Sequence, residues 1–353
     1  MLFGYPEPRP DDNWIHECIL SAVKSVHDLV GADGQLPAWP FILPEAYQDR
    51  LKGRDSLESC ITAYSVALRE LGVAERESIL NAMYAQNRIA ELLAGTAECQ
   101  QLCDLPEKIR KPVLDLFECG FRLLTALGTR QRQYEAVCLH IPVRVCPFCG
   151  CEHLEAPGLP QEDFDHFLPR KKYPFAAANL RNLAPMGKRC NSSYKLAKDP
   201  LWGGDGLRRR SFDPFTENSV SISFARSSVN ENAVGPLMSE WKVDCHPFDQ
   251  PEATWDDLFQ VRTRWEQNCD ENTVKRWLQE FSSFCKRSRA NPKSDADLLD
   301  VAHNYQQYLS DCGFADQAFL KSAAFEMLVG KCKAGSKRLL PIFWDLAGAK
   351  LQS

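Results

Sequence analysis

Residues 163–195 read DFDHFLPRKKYPFAAANLRNLAPMGKRCNSSYK, and the centre of the chain is decided by how this stretch is read. Asp165 and His166 follow an apolar residue and precede Phe167, Leu168 and Pro169, the pattern of a short strand running out into a loop. Asn182 stands sixteen residues after His166 in a second short apolar piece, Asn182-Leu183-Ala184. Asn191 comes nine residues later in CNSSYKLAK, a segment that predicts the opening of a helix. On such a helix Asn191 and Lys195, four apart, share a face.

Just upstream stands CPFCG, Cys146 to Gly150. A C-x-x-C turn aims two thiolates at one point, which is what a knuckle of a tetrahedral zinc site requires. The same spacing serves redox pairs, but those sit in a thioredoxin-like βαβ setting and none is visible around Cys146.

Taken together, these residues resemble the HNH endonuclease family, whose ββα-metal core is two short strands and a helix around one divalent cation. The wording from Asp165 to Lys195 is similar in particular to the HNH nuclease component of Septu-type anti-phage systems, which works beside an ATPase. The resemblance spans about 70 of the 353 residues. It implies Asp165 and His166 on the first strand, Asn182 as the central Asn and Asn191 on the helix as catalytic residues. It also implies a nucleic-acid substrate, DNA before RNA, and an ATPase partner.

The residue types suit those roles. His166, with an ordinary pKa near 6.5, can take a proton from water at neutral pH. Asp165 and Asn191 offer hard oxygen donors of the kind Mg²⁺ or Mn²⁺ takes. Asn182 would orient His166 by tying down the intervening loop. Zinc-knuckle members of the family carry a second C-x-x-C before the helix; here Cys190 is present but Gly187 holds the other position. The expected Zn²⁺ ligands are therefore Cys146, Cys149 and Cys190, with Cys151 or His153, or more remotely Cys245 or His246, as fourth. The alternative is a non-catalytic zinc-ribbon adaptor that binds nucleic acid or docks the ATPase.

Charge is unevenly spread. The chain carries 42 Lys and Arg against 47 Asp and Glu, a net charge of -5, which excludes a uniformly basic nucleic-acid coat protein. From Asp165 to Arg210, however, eleven basic residues face three acids, so this segment is +8 and the remainder -13. Such asymmetry fits one face gripping phosphates. Arg170, Lys171, Lys172, Lys188, Arg189 and Lys195 are the candidate contacts. Tyr173 and Phe175, interleaved with them, either stack on bases or simply pack the loop.

The flanks read as helical. Ile15, Ile19, Val23, Val26 and Val30 recur at three- and four-residue steps, and similar periodicity continues to a helix ending near Gly128. It returns from Thr254 to the carboxyl end, after two strand-like alternations, Ser219 to Phe224 and Glu240 to Cys245. The expected fold is mainly α with a small α+β insert, divided as 1–140 helical, 141–215 ββα-metal nuclease core, and 216–353 hairpin then helical.

With 44% apolar residues the chain can build cores, and 15 scattered cysteines match no disulfide-dense module. Neither a secretory leader nor a membrane-length apolar run is evident. A cytoplasmic protein without membrane attachment is expected. Two-strand cutting needs two active sites, so a homodimer is also expected.

Overall fold

The computed structural model describes residues 1–159, 164–232 and 234–348. Among the described residues the chain is mainly α, 56% helix against 6% strand, and the few strands form small antiparallel pairs. It divides into two compact units, one of 3–146 with 153–218 and the other of 219–353 with 147–152. The sequence suggested three parts. Two result because the central segment does not keep a core of its own: Phe164, Phe175, Ala177, Leu180 and Leu183 are buried in one cluster with the amino-terminal helices.

In the first unit, helices α1 (Trp14–Gly31), α2 (Glu45–Leu51), α3 (Asp55–Arg69), α4 (Val73–Gln86), α5 (Ile89–Ala94), α6 (Glu107–Ala126) and α7 (Thr129–His140) precede the central segment. The three-and-four spacing of Ile15, Ile19, Val23, Val26 and Val30 places them all inside. On α6 the same period buries Ile109, Val113, Leu116, Phe117, Leu123 and Leu124. Gly120 lies on that buried face; a Cβ there would run into Ile19 and press on Ala178, so its absence lets α1 and the loop before Asn179 close on α6.

That closure makes α6 and α7 the back wall of the central segment. Phe117 meets Phe175 edge-on with centroids 5.1 Å apart, and Phe121 lies 4.4 Å from the His166 ring. Tyr134 of α7 meets Phe164 at 6.1 Å. Against this wall β1 (Phe164–His166) pairs antiparallel with β2 (Leu183–Pro185), in the register Phe164 with Pro185, Asp165 with Ala184 and His166 with Leu183.

In the second unit the two alternations seen in the sequence do pair. β3 (Ser221–Ser223) runs antiparallel to β6 (Asp244–His246), and β4 (Ser228–Val229) to β5 (Met238–Glu240). Helices α8 (Gln250–Phe259), α9 (Val261–Asn268), α10 (Glu271–Arg287), α11 (Asp295–Asp311), α12 (Ala318–Lys333) and α13 (Leu339–Ala347) follow. Three start on side-chain caps, with Asp249, Asp270 and Ser294 accepting from the backbone N–H of Glu252, Thr273 and Asp297. Phe281 centres their core, with Tyr305, Phe325 and Phe343 each 5.4–5.6 Å away. Among the described residues no helix is long and apolar enough to cross a membrane.

Candidate functional site

His166 closes β1 with its ring turned inward and 8% of its surface exposed. Its Nε2 lies 3.0 Å from the carbonyl oxygen of Ala177. A carbonyl only accepts, so Nε2 carries the hydrogen and the neutral ring keeps its lone pair on Nδ1. Burial, reinforced by the Arg170 charge, pushes the His166 pKa down to about 3, so the ring is neutral at physiological pH.

Asn182 is fully buried at the start of the returning strand. Its Oδ1 accepts from the Leu168 N–H at 2.7 Å, and its Nδ2 donates to the carbonyls of Leu168 and Ala176 at 3.1 and 3.2 Å. It thus ties down both ends of the loop that carries the acceptor of His166. A buried amide with both ends bonded to backbone is a rigid staple, since freeing any of those groups leaves it unsatisfied.

The expected helix at CNSSYKLAK is shorter than its sequence suggested. It is a single π turn, Cys190–Lys195, in which the Leu196 N–H reaches back to the Asn191 carbonyl at 2.9 Å. Leu196, at φ 50° and ψ -126°, ends it. A non-glycine residue there is strained, and π turns of this kind gather at functional positions. Asn191 is half-buried on the turn. Lys195, its last residue, is 1% exposed, with its ammonium 2.6 Å from the Asp165 Oδ2 and 2.8 Å from the His166 carbonyl. Lys195 was expected to meet phosphate; instead its ammonium is buried against Asp165 and the His166 carbonyl.

The same turn begins at Cys190, and there a second group assembles. The Sγ atoms of Cys146, Cys149 and Cys190 and a carboxylate oxygen of Glu152 all lie within 4.8 Å of one another, a set that could hold a metal ion. The fourth member is Glu152, in place of the expected Cys151, His153, Cys245 or His246. The knuckle's backbone is held by indole donors: Trp255 Nε1 donates to the Phe148 carbonyl at 2.9 Å and Trp265 Nε1 to that of Cys149 at 3.0 Å. Arg264 lies 3.5 Å from Glu152.

Much of the +8 segment is committed internally. Arg170 pairs with Glu118 at 3.4 Å, Lys172 with Asp199 at 3.0 Å, and Arg181 grips Asp213 bidentately at 2.6 Å. Arg208 donates to the Leu92 carbonyl at 2.5 Å, and Arg209 to that of Asp199 at 2.6 Å. Lys171, Lys188 and Arg189 are exposed. Tyr173 and Phe175 are fully buried, which leaves packing as their role and no face for a base.

The chain matches none of the protein-family models, curated proteins or solved structures with which it was compared. Two features of the site went unread in the sequence. Glu152 continues the spacing of the knuckle (Cys146, Cys149, Glu152), but a carboxylate beside a C-x-x-C has no signal of its own. The tryptophans that hold the knuckle stand more than 100 residues away.

Proposed function

We propose that this chain is a metal-dependent endonuclease of the HNH type that hydrolyses phosphodiester bonds in nucleic acid, DNA before RNA, as the effector of an anti-phage system with an ATPase partner. The observation that carries the reading is the convergence on one antiparallel strand pair of Asp165, a neutral His166 with its lone pair on Nδ1, and the turn bearing Asn191 and Lys195.

His166 Nδ1 accepts the proton of the attacking water, and Ala177 holds the ring in the tautomer that allows it. Asn182 fixes that carbonyl by pinning Leu168 at the start of the loop and Ala176 immediately before it. Asp165, whose carboxylate is paired with the Lys195 ammonium at 2.6 Å, would with Asn191 supply the hard oxygen donors for a divalent ion. Such an ion supplies charge stabilisation to the leaving oxyanion. At the knuckle, three thiolates and the Glu152 carboxylate give the four donors that a closed tetrahedral zinc site needs. Lys171 and Lys188 are the exposed cations that would meet the phosphate backbone.

The burial of His166 favours a second reading, the non-catalytic zinc-ribbon adaptor, because a general base must be reached by water. One assay separates the two. Plasmid DNA and RNA are incubated with Mg²⁺ or Mn²⁺, alone and with the ATPase encoded beside the chain, using wild type, His166→Ala and Asn191→Ala. The nuclease reading requires cutting by wild type and its loss in both folded variants. Binding without cutting in every combination supports the adaptor.

A further inference from the structure

Resting on the nuclease reading, the geometry points to Lys195 as the group that makes cation loading at Asp165 depend on bound nucleic acid. Three observations carry it. The ammonium is fixed: Lys195 is 1% exposed, donates to the His166 carbonyl at 2.8 Å and lies 2.6 Å from the Asp165 carboxylate as an ion pair. The backbone is built to hold it there, since the π turn ends at Lys195 and is closed by the strained Leu196. The Asp165 side chain, 15% exposed, is the member of the pair that meets solvent.

An incoming divalent ion therefore finds a carboxylate whose charge is already balanced from behind. Asn191, the other expected donor, is neutral. One neutralised carboxylate and one amide form a weak site for a doubly charged ion, because the Lys195 charge lies a few ångströms from where the ion must bind and repels it. A phosphodiester brought to the same place contributes the missing negative charge. Cation and nucleic acid then bind together, each strengthening the other by the same factor. The free protein stays largely unloaded, which keeps hydrolysis tied to a seated substrate.

The test is Mn²⁺ binding by calorimetry, with zinc supplied beforehand to fill the knuckle and a short phosphorothioate DNA duplex as the uncut probe. For wild type, Mn²⁺ binding should tighten about tenfold or more when the duplex is present. Lys195→Met, and Lys195→Gln as a variant that keeps a donor for the His166 carbonyl, should bind Mn²⁺ about tenfold more tightly without DNA and gain little from it. Lys195→Arg should retain the coupling. Melting curves establish that each variant folds. The proposal is overturned if either folded, uncharged variant binds Mn²⁺ as wild type does in both states. If wild type binds no Mn²⁺ with or without DNA, or Asp165→Ala binds it equally well, the metal-site reading itself falls and takes the proposal with it.

Discussion

The two ends of one short turn, Cys190 and Lys195, serve sites of opposite electrostatic design. At the Cys190 end, three Sγ atoms converge with the Glu152 carboxylate, which has Arg264 3.5 Å away, into a set that could hold a metal ion. At the Lys195 end, a carboxylate is already matched by an ammonium. The first gathers four donor atoms around one point. The second is already paired, and under the proposed coupling takes a cation only once a phosphodiester adds negative charge.

The sharpest way to break this comparison is to remove a function without touching the scaffold. His166→Ala should lower cleavage by about 10²- to 10⁴-fold, the usual contribution of a general base, while zinc content and melting change little. Cys190→Ser should do the reverse kind of damage: zinc falls in elemental analysis and Tm drops by roughly 5–10 °C, with cutting lost only as folding is lost. Asn182→Ala lies between the two. It frees two carbonyls and one N–H in the interior, so urea unfolding should show a loss of about 3 kcal/mol, with slower cutting by the folded fraction.

Helix α1 contributes a pH dependence that neither site needs. Burial pushes His16 down to about 3, and burial, aided by Arg76, pushes His27 down to about 4, where its Nε2 lies 2.7 Å from the Tyr64 hydroxyl. Unfolded histidine titrates near 6.5, so below that pH the unfolded chain binds protons that the folded chain refuses. Their stabilising effect is full above about pH 6.5 and is lost toward pH 3–4, by at most about 1.4 kcal/mol per pH unit for each group. Urea midpoints should fall steadily from pH 7 to pH 5; a flat profile would show that these rings are not held neutral. The smallest effect belongs to the surface: Lys171→Ala and Lys188→Ala should each weaken DNA binding modestly and reduce the salt slope by about 1.

What was legible in the sequence follows from the range of the forces involved. The first short strand could be read from the apolar residues around Asp165 and His166, while the returning strand and the role of Asn182 came from the family resemblance. The helical flanks were legible because one amphipathic period repeats over many residues. The merging of 1–140 with the central segment was not, since it depends on Phe175 and Leu180 finding partners on helices far back in the chain. Lys195 was read as a phosphate contact because it stands beside the proposed catalytic residues in a basic segment, and its burial against Asp165 appears only once β1 and the π turn are side by side. Glu152 was passed over as a residue type that is normally solvated. The +8 of the central segment counted charges correctly without revealing how many had internal partners.

The measurement that bears most directly on the account is metal-dependent cutting read together with zinc content in the same His166→Ala preparation. The account predicts a folded, zinc-loaded protein that no longer cleaves plasmid or RNA under conditions where wild type does. Wild-type rates in folded His166→Ala would contradict it.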